Sequence, residues 1–187
     1  MIRVVDESTP FDIDGRVVYA VAIVLVTVED RQMVQSSTER SFDRRRPFHW
    51  ERDRGSDVRA RMLKLLTSAP VEIVLAATRC ETRRQAEARA RLFGEVVFQA
   101  VVGRVTSLVI ERRSRAENEH DGRVIRDWFR PTPQRIPSYD HVDKTDPLTW
   151  LADAASGAWS DALLNRGAGN LECLIGSGRL TLAQVLL

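Results

Sequence analysis

The sequence predicts a single α/β domain spanning residues 1–187, with a mixed sheet flanked by helices. Three observations support this. Valine-rich, β-branched runs at 2–5 and 16–28 are separated by turn-forming residues, the pattern of an initial antiparallel hairpin. Residues 71–77, with Ile73, Val74 and Leu75, form a nearly continuous apolar run of the kind a strand buried on both faces requires. Between that run and the next one at 105–110, Ala86, Ala90, Phe93, Val97 and Val101 recur at three- and four-residue intervals, the spacing of one helix face.

The elements follow in order. Residues 8–15, Ser-Thr-Pro-Phe-Asp-Ile-Asp-Gly, read as the turn joining the first two strands. No clear period runs through 29–46. Ser56 or Asp57 can cap a helix carrying Val58, Met62, Leu65 and Leu66, and Pro70 ends it. Thr82 starts the long helix, which stops near Gly103. Asn118 or Asp121 opens a shorter helix with Val124, Ile125, Trp128 and Phe129, closed by Pro131 and Pro133, and a further strand is expected within 136–142. Asp146-Pro147 begins the next helix, because Asp accepts from first-turn amides and Pro is preorganised at the first helical position. The stretch 166–187 is punctuated by glycine and then apolar. It is expected to dock on the core, or to serve as a homo-oligomer interface.

Composition narrows the function classes. Hydrophobic residues make up 43% and charged residues 29%, so the chain is neither disordered nor collagen-like. The longest apolar run, 17–28, is shorter than the roughly 20 residues of a membrane helix. Acidic Asp6 and Glu7 come before any signal-peptide core could form, so a cytoplasmic protein without membrane attachment is expected. Cys80 and Cys173 are too few for a disulfide scaffold and lack metal-ligand spacing. Neither a Walker loop nor a Gly-rich dinucleotide turn is present. Net charge is only +2, yet Arg40, Arg44, Arg45, Arg46, Arg52, Arg54, Arg59 and Arg61 crowd one stretch, while Lys64 and Lys144 are the chain's lysines. A basic groove there, with Arg44, Arg45, Arg46 and Arg52 on nucleic acid, is one reading; a solvated, salt-bridged face is the other.

The chemistry-bearing candidates are carboxylates. Asp6 and Glu7 leave the first strand at the sheet edge where α/β folds build sites, and Glu111 ends a later strand in the same way. Asp146, Trp150, Asp153 and Gly157 share one helix face, which makes Asp153 a charge on an otherwise apolar helix that needs a cation or a donor. Asp146 doubles as a cap. If Asp6, Glu111 and Asp153 converge, their repulsion is relieved by a hard divalent ion, Mg²⁺ or Mn²⁺, able to support phosphodiester hydrolysis. His49 and Trp50 interrupt a charged context and read either as core or as site residues.

The order Asp6-Glu7-Ser8, Phe48-His49-Trp50, Leu108-Val109-Ile110-Glu111-Arg112-Arg113 with Asp121, and Asp146-Pro147-Leu148-Thr149-Trp150-Leu151-Ala152-Asp153 resembles the bacterial domain of unknown function 3800 family. The resemblance implies a ribonuclease-H-like fold with a five-stranded mixed sheet, and acidic residues around metal, with Asp6, Glu111 and Asp153 as the matching positions. Asp146 or Asp121 would assist, and Glu7 and His49 would stand behind the metal ligands. Two departures accompany it: residues 59–66 offer no carboxylate and 71–77 only Glu72, while Glu111 ends what counts as the fifth strand. The expected function is therefore a Mg²⁺- or Mn²⁺-dependent nuclease acting on DNA or RNA. The alternative is an inactive module of the same fold that binds nucleic acid or a protein partner.

Overall fold

A computed structural model of the chain describes residues 1–13, 16–42, 46–54, 57–102, 105–131, 137–163 and 168–184. Six strands form one mixed sheet in the order β5-β4-β1-β2-β3-β6. They are β1 (Ile2–Ile13), β2 (Arg16–Val26), β3 (Val71–Cys80), β4 (Ser107–Glu111), β5 (Ser138–Val142) and β6 (Leu180–Gln184). The strands β1, β2 and β3 run antiparallel in succession, and β4, β5 and β6 join by parallel pairing. The helices are α1 (Arg31–Ser41), α2 (Asp57–Ser68), α3 (Gln85–Val102), α4 (Arg115–Phe129), α5 (Pro147–Leu163) and α6 (Ala168–Gly176).

Side-chain alternation along β1 and β4 divides the core in two. Ile2, Val4 and Val109 point to the face covered by α1, α2, α5 and α6, where Val34, Met62, Leu66, Trp150, Leu151 and Leu174 are buried. Val5, Leu108 and Ile110 point to the opposite face, beneath α3 and α4, with Leu92, Phe93, Val96, Ile125 and Phe129. The small residues Ala152, Ala154, Ala155 and Ala158 of α5 are fully buried, which lets this helix lie close over the sheet.

Several expectations are corrected. The sheet has six strands rather than five, because 180–184 pairs with β3 as an edge strand. That segment is committed to the sheet, and 185–187 fall outside the described residues. The first strand continues through the expected turn to Ile13, with a register shift between Ser8 and Phe11 that absorbs the Thr-Pro step. Residues 31–41, where no period was visible, are helical, so Glu111 ends the fourth strand and not the fifth. The helix α4 starts earlier than Asn118 or Asp121. Ser114 caps it in a reciprocal box with Glu117, a Ser-x-x-Glu signal, while Asn118 bonds back to the Arg113 backbone.

Candidate active site

The parallel register that pairs Val5 with Ile110 carries on at the next residue, bringing Asp6 beside Glu111. By alternation both carboxylates face α5, which presents Asp153 back toward them. These three line one cavity of about 400 Å³ together with Glu7, His49, Trp50, Arg113, Lys144, Ser156 and Ser160. Asp6 and Asp153 are buried.

The third wall comes from the loop carrying His49 and Trp50. Trp50 donates its backbone N–H to Asp153 Oδ2 at 2.9 Å and its indole N–H to Asp161 Oδ2 at 2.9 Å. Arg59 spans the two, pairing with Asp161 at 2.9 Å, donating to the Trp50 carbonyl at 2.8 Å, and stacking its guanidinium 4.1 Å from the indole centroid. The indole lies against Gly157, where a Cβ would fall 2.1 Å from Trp50 Cγ. Asp53 secures the other side of the loop by accepting from His49 N at 3.0 Å. His49 thereby faces the cavity, its Nδ1 buried without a partner among the described residues.

Electrostatics set the site apart. Burial, reinforced by Glu111 and then Asp153, raises the Asp6 carboxyl well above its usual range. Burial also raises Asp153, and Glu111 adds to this against the opposing pull of Lys144, the Trp50 N–H and His49. Lys144 projects its ammonium into the cluster, with Nζ 3.3 Å from Glu111 Oε1 and 3.7 Å from Asp153 Oδ1. Burial would lower the lysine, but Asp153, Asp6 and Glu111 outweigh it and hold the group charged. Glu111 Oε2 is buried and accepts no hydrogen bond from the described residues.

Not every candidate residue reaches this cavity. Asp146 caps α5, accepting from Leu148 N at 3.0 Å, and faces a separate recess with Val142 and Asp143. Asp121 is buried on the opposite face of the sheet, where Arg89 binds it with Nη1 and with Nη2 at 2.9 Å. Glu7 lines the cavity edge, but its carboxylate turns to that same face and accepts from Arg89 Nη2 at 2.7 Å, Arg113 Nη1 at 2.6 Å and the Tyr19 hydroxyl. Arg44 and Arg45 lie outside the described residues. Arg46 and Arg52 both pair with Asp53, at 3.0 and 3.2 Å, with side chains 66% and 42% exposed.

Sequence reading overlooked two cavity residues, Lys144 and Arg113, and saw in Trp50 only a choice between core and site. A signal existed for Lys144, because a lysine is rare in this arginine-dominated chain and supplies a compact point charge that a guanidinium fork does not. Arg113 was hidden in a run of ordinary ion-pairing arginines.

The donor set suits a hard divalent cation: three carboxylates from separate elements, with Glu111 Oε2 lacking a partner among the described residues. As the side chains stand, however, no group of three or more His, Cys, Asp or Glu among the described residues forms a ligating shell. Lys144 occupies the space between two of the carboxylates. No helix among the described residues is long and apolar enough to cross a membrane.

No protein-family model matches the chain, and no curated protein does. Among solved structures, the chain is similar to one in the PCNA:RNase HII complex from Archaeoglobus fulgidus, at TM-score 0.55 and 14% identity, over 91% of this chain and 77% of that one. With the strand order above, this similarity shows a ribonuclease-H-like fold.

Proposed function

We propose that the protein is a divalent-metal-dependent nuclease that hydrolyses a phosphodiester of DNA or RNA. The observation that carries this reading is the convergence of Asp6, Glu111 and Asp153 from β1, β4 and α5 on one cavity. The resemblance to the domain of unknown function 3800 family points the same way. Asp6, Glu111 and Asp153 would hold Mg²⁺ or Mn²⁺. Such an ion would stabilise charge on phosphoryl oxygens and lower the pKa of an attacking water. The chain's own residues do the rest. The Trp50 N–H fixes the Asp153 carboxylate through one oxygen, leaving Oδ1 toward the cluster. Arg113, locked to Glu7, offers its guanidinium edge at the cavity wall for a phosphate oxygen. His49 presents a ring nitrogen able to take or give a proton at a group held in the cavity. The exposed Arg46 and Arg52 suit a nucleic-acid backbone.

A second reading, a noncatalytic module binding nucleic acid, is favoured by one observation: Lys144 already neutralises part of the cluster. Cleavage of single-stranded and hybrid oligonucleotides with Mn²⁺, compared between wild type and Asp153→Asn, separates the two. The nuclease requires Mn²⁺-stimulated cleavage that Asp153→Asn abolishes. Salt-sensitive binding that survives Asp153→Asn, with no cleavage in either protein, establishes the module instead.

A further inference from the structure

Lys144 lies where a mobile cation would be drawn. It precedes α5 in the turn 143–146, and that turn is held by the backbone: Asp146 N donates to the Asp143 carbonyl at 2.9 Å, and Trp150 Nε1 donates to the Lys144 carbonyl at 2.6 Å. The Lys144 main chain is therefore fixed to the same helix that carries Asp153. Its side chain is not fixed in the same way. The stem is 30% exposed at the cavity, and Nζ makes one hydrogen bond, a long 3.3 Å contact to Glu111, with Asp153 Oδ1 at 3.7 Å. A buried ion pair with good geometry would be shorter. The ammonium reaches Glu111 and Asp153 at these distances, and Glu111 Oε2 has no hydrogen-bond partner among the described residues. The cluster is thus under-neutralised, and its cation hangs on the most flexible stem available to a protein.

We propose that Lys144 is a tethered competitor for the divalent ion. In the metal-free protein its ammonium holds Asp6, Glu111 and Asp153 together, and ion binding requires the stem to swing out toward the cavity mouth. The inference rests on the reading of these carboxylates as a metal site. It adds that the site has two mutually exclusive cations, one belonging to the chain. The competition sets a threshold: the carboxylates stay assembled without metal, and the ion is taken up only at a concentration that outbids an intramolecular ammonium.

Two measurements on the full chain test this. In the first, Mg²⁺ and Mn²⁺ are titrated calorimetrically into wild type and Lys144→Gln, with Asp153→Asn as the control. The variant should bind at least about tenfold more tightly, since a positive charge near 4 Å no longer opposes the ion. It should also melt at a lower temperature than wild type in chelator. In the second, wild type alone is labelled with acetic anhydride and its two lysines are quantified by mass spectrometry. Adding Mg²⁺ should raise Lys144 modification several-fold over metal-free protein, while Lys64, exposed on α2, serves as the internal reference. If wild type binds the ion, but Lys144→Gln binds no more tightly and Lys144 labelling does not rise, the competitor role is overturned and the metal site stands. If neither protein binds either ion, both readings fall. Tight binding by the variant alone supports the competitor.

Discussion

The backbone N–H of Trp50 donates to Oδ2 of Asp153 across 103 residues of chain, and this bond joins the His49 loop to the acidic cluster. The same indole is seated on Gly157, one turn further along α5, so loop and helix are fixed to each other at two successive turns. The position of His49 relative to Asp6 and Glu111 is therefore a property of the Trp50–α5 contact.

Gly157→Ala should break that seat. Alanine ordinarily favours a helix interior over glycine by about 1 kcal/mol. Here its Cβ would fall 2.1 Å from Trp50 Cγ, and the indole cannot retreat without losing Asp161 and Arg59. A net loss of about 1–3 kcal/mol in urea unfolding is expected, as for overpacked cores. Weaker divalent-ion binding should accompany it. Unchanged stability and unchanged binding would show that the loop is held elsewhere.

Asp6 carries an electrostatic penalty whose sign can be followed with pH. Burial, Glu111 and Asp153 place its folded pKa above the ordinary 3.8, so the folded chain takes up the proton more readily than the unfolded one. The penalty is absent below the unfolded value and grows as pH rises through the folded value. In chelator, Asp6→Asn should therefore melt a few degrees above wild type near neutrality, at about 2–4 °C per kcal/mol for a chain of this length. The gap should close as pH falls toward about 4. Thermal scans across that range check it, and a gap that does not vary with pH contradicts the assignment. The variant should also lose the Mn²⁺-induced rise in melting temperature.

Two buried arginines should respond in opposite directions. Arg89 serves Glu7 and Asp121 together, Arg89 and Asp121 being buried and Glu7 half-buried, and its guanidinium also lies 4.8 Å from the Phe93 ring centroid. Arg89→Leu takes the guanidinium from buried Asp121, while Glu7 keeps Arg113 and the Tyr19 hydroxyl, and should cost about 3–5 kcal/mol. Arg3 is 1% exposed, with Nε and Nη1 unpaired among the described residues; burial draws its guanidinium down to about 10, and Glu72 opposes this. Because Glu72 is exposed, Arg3→Leu strands no buried charge and should gain about 1 kcal/mol or more. Paired urea titrations of the two variants decide the matter, and a loss of stability in Arg3→Leu would show that the guanidinium finds partners in solution.

The β-branched and apolar runs at 2–5 and 105–110 each lead into a carboxylate, which was enough to single out Asp6 and Glu111 as candidates at strand ends; that they stand side by side follows from the parallel pairing of β1 with β4. The charge at Asp153 on an apolar helix could be recognised because a helical period of 3.6 fixes which residues share a face. Helix α1 was invisible because Arg31–Ser41 buries only Val34 and Thr38, too few positions to show a period. The sequence marked Asp146 as a helix cap as well as an assisting residue, and nothing in it pointed to the Arg89 that binds Asp121. Whether a carboxylate meets a guanidinium, a helix terminus or a cavity depends on which elements pack against it, and that is settled by long-range burial. Lys144 makes the same point from the other side. Its presence was plain in the chain, but only the docking of α5 onto β1 and β4 brought its charge between Glu111 and Asp153.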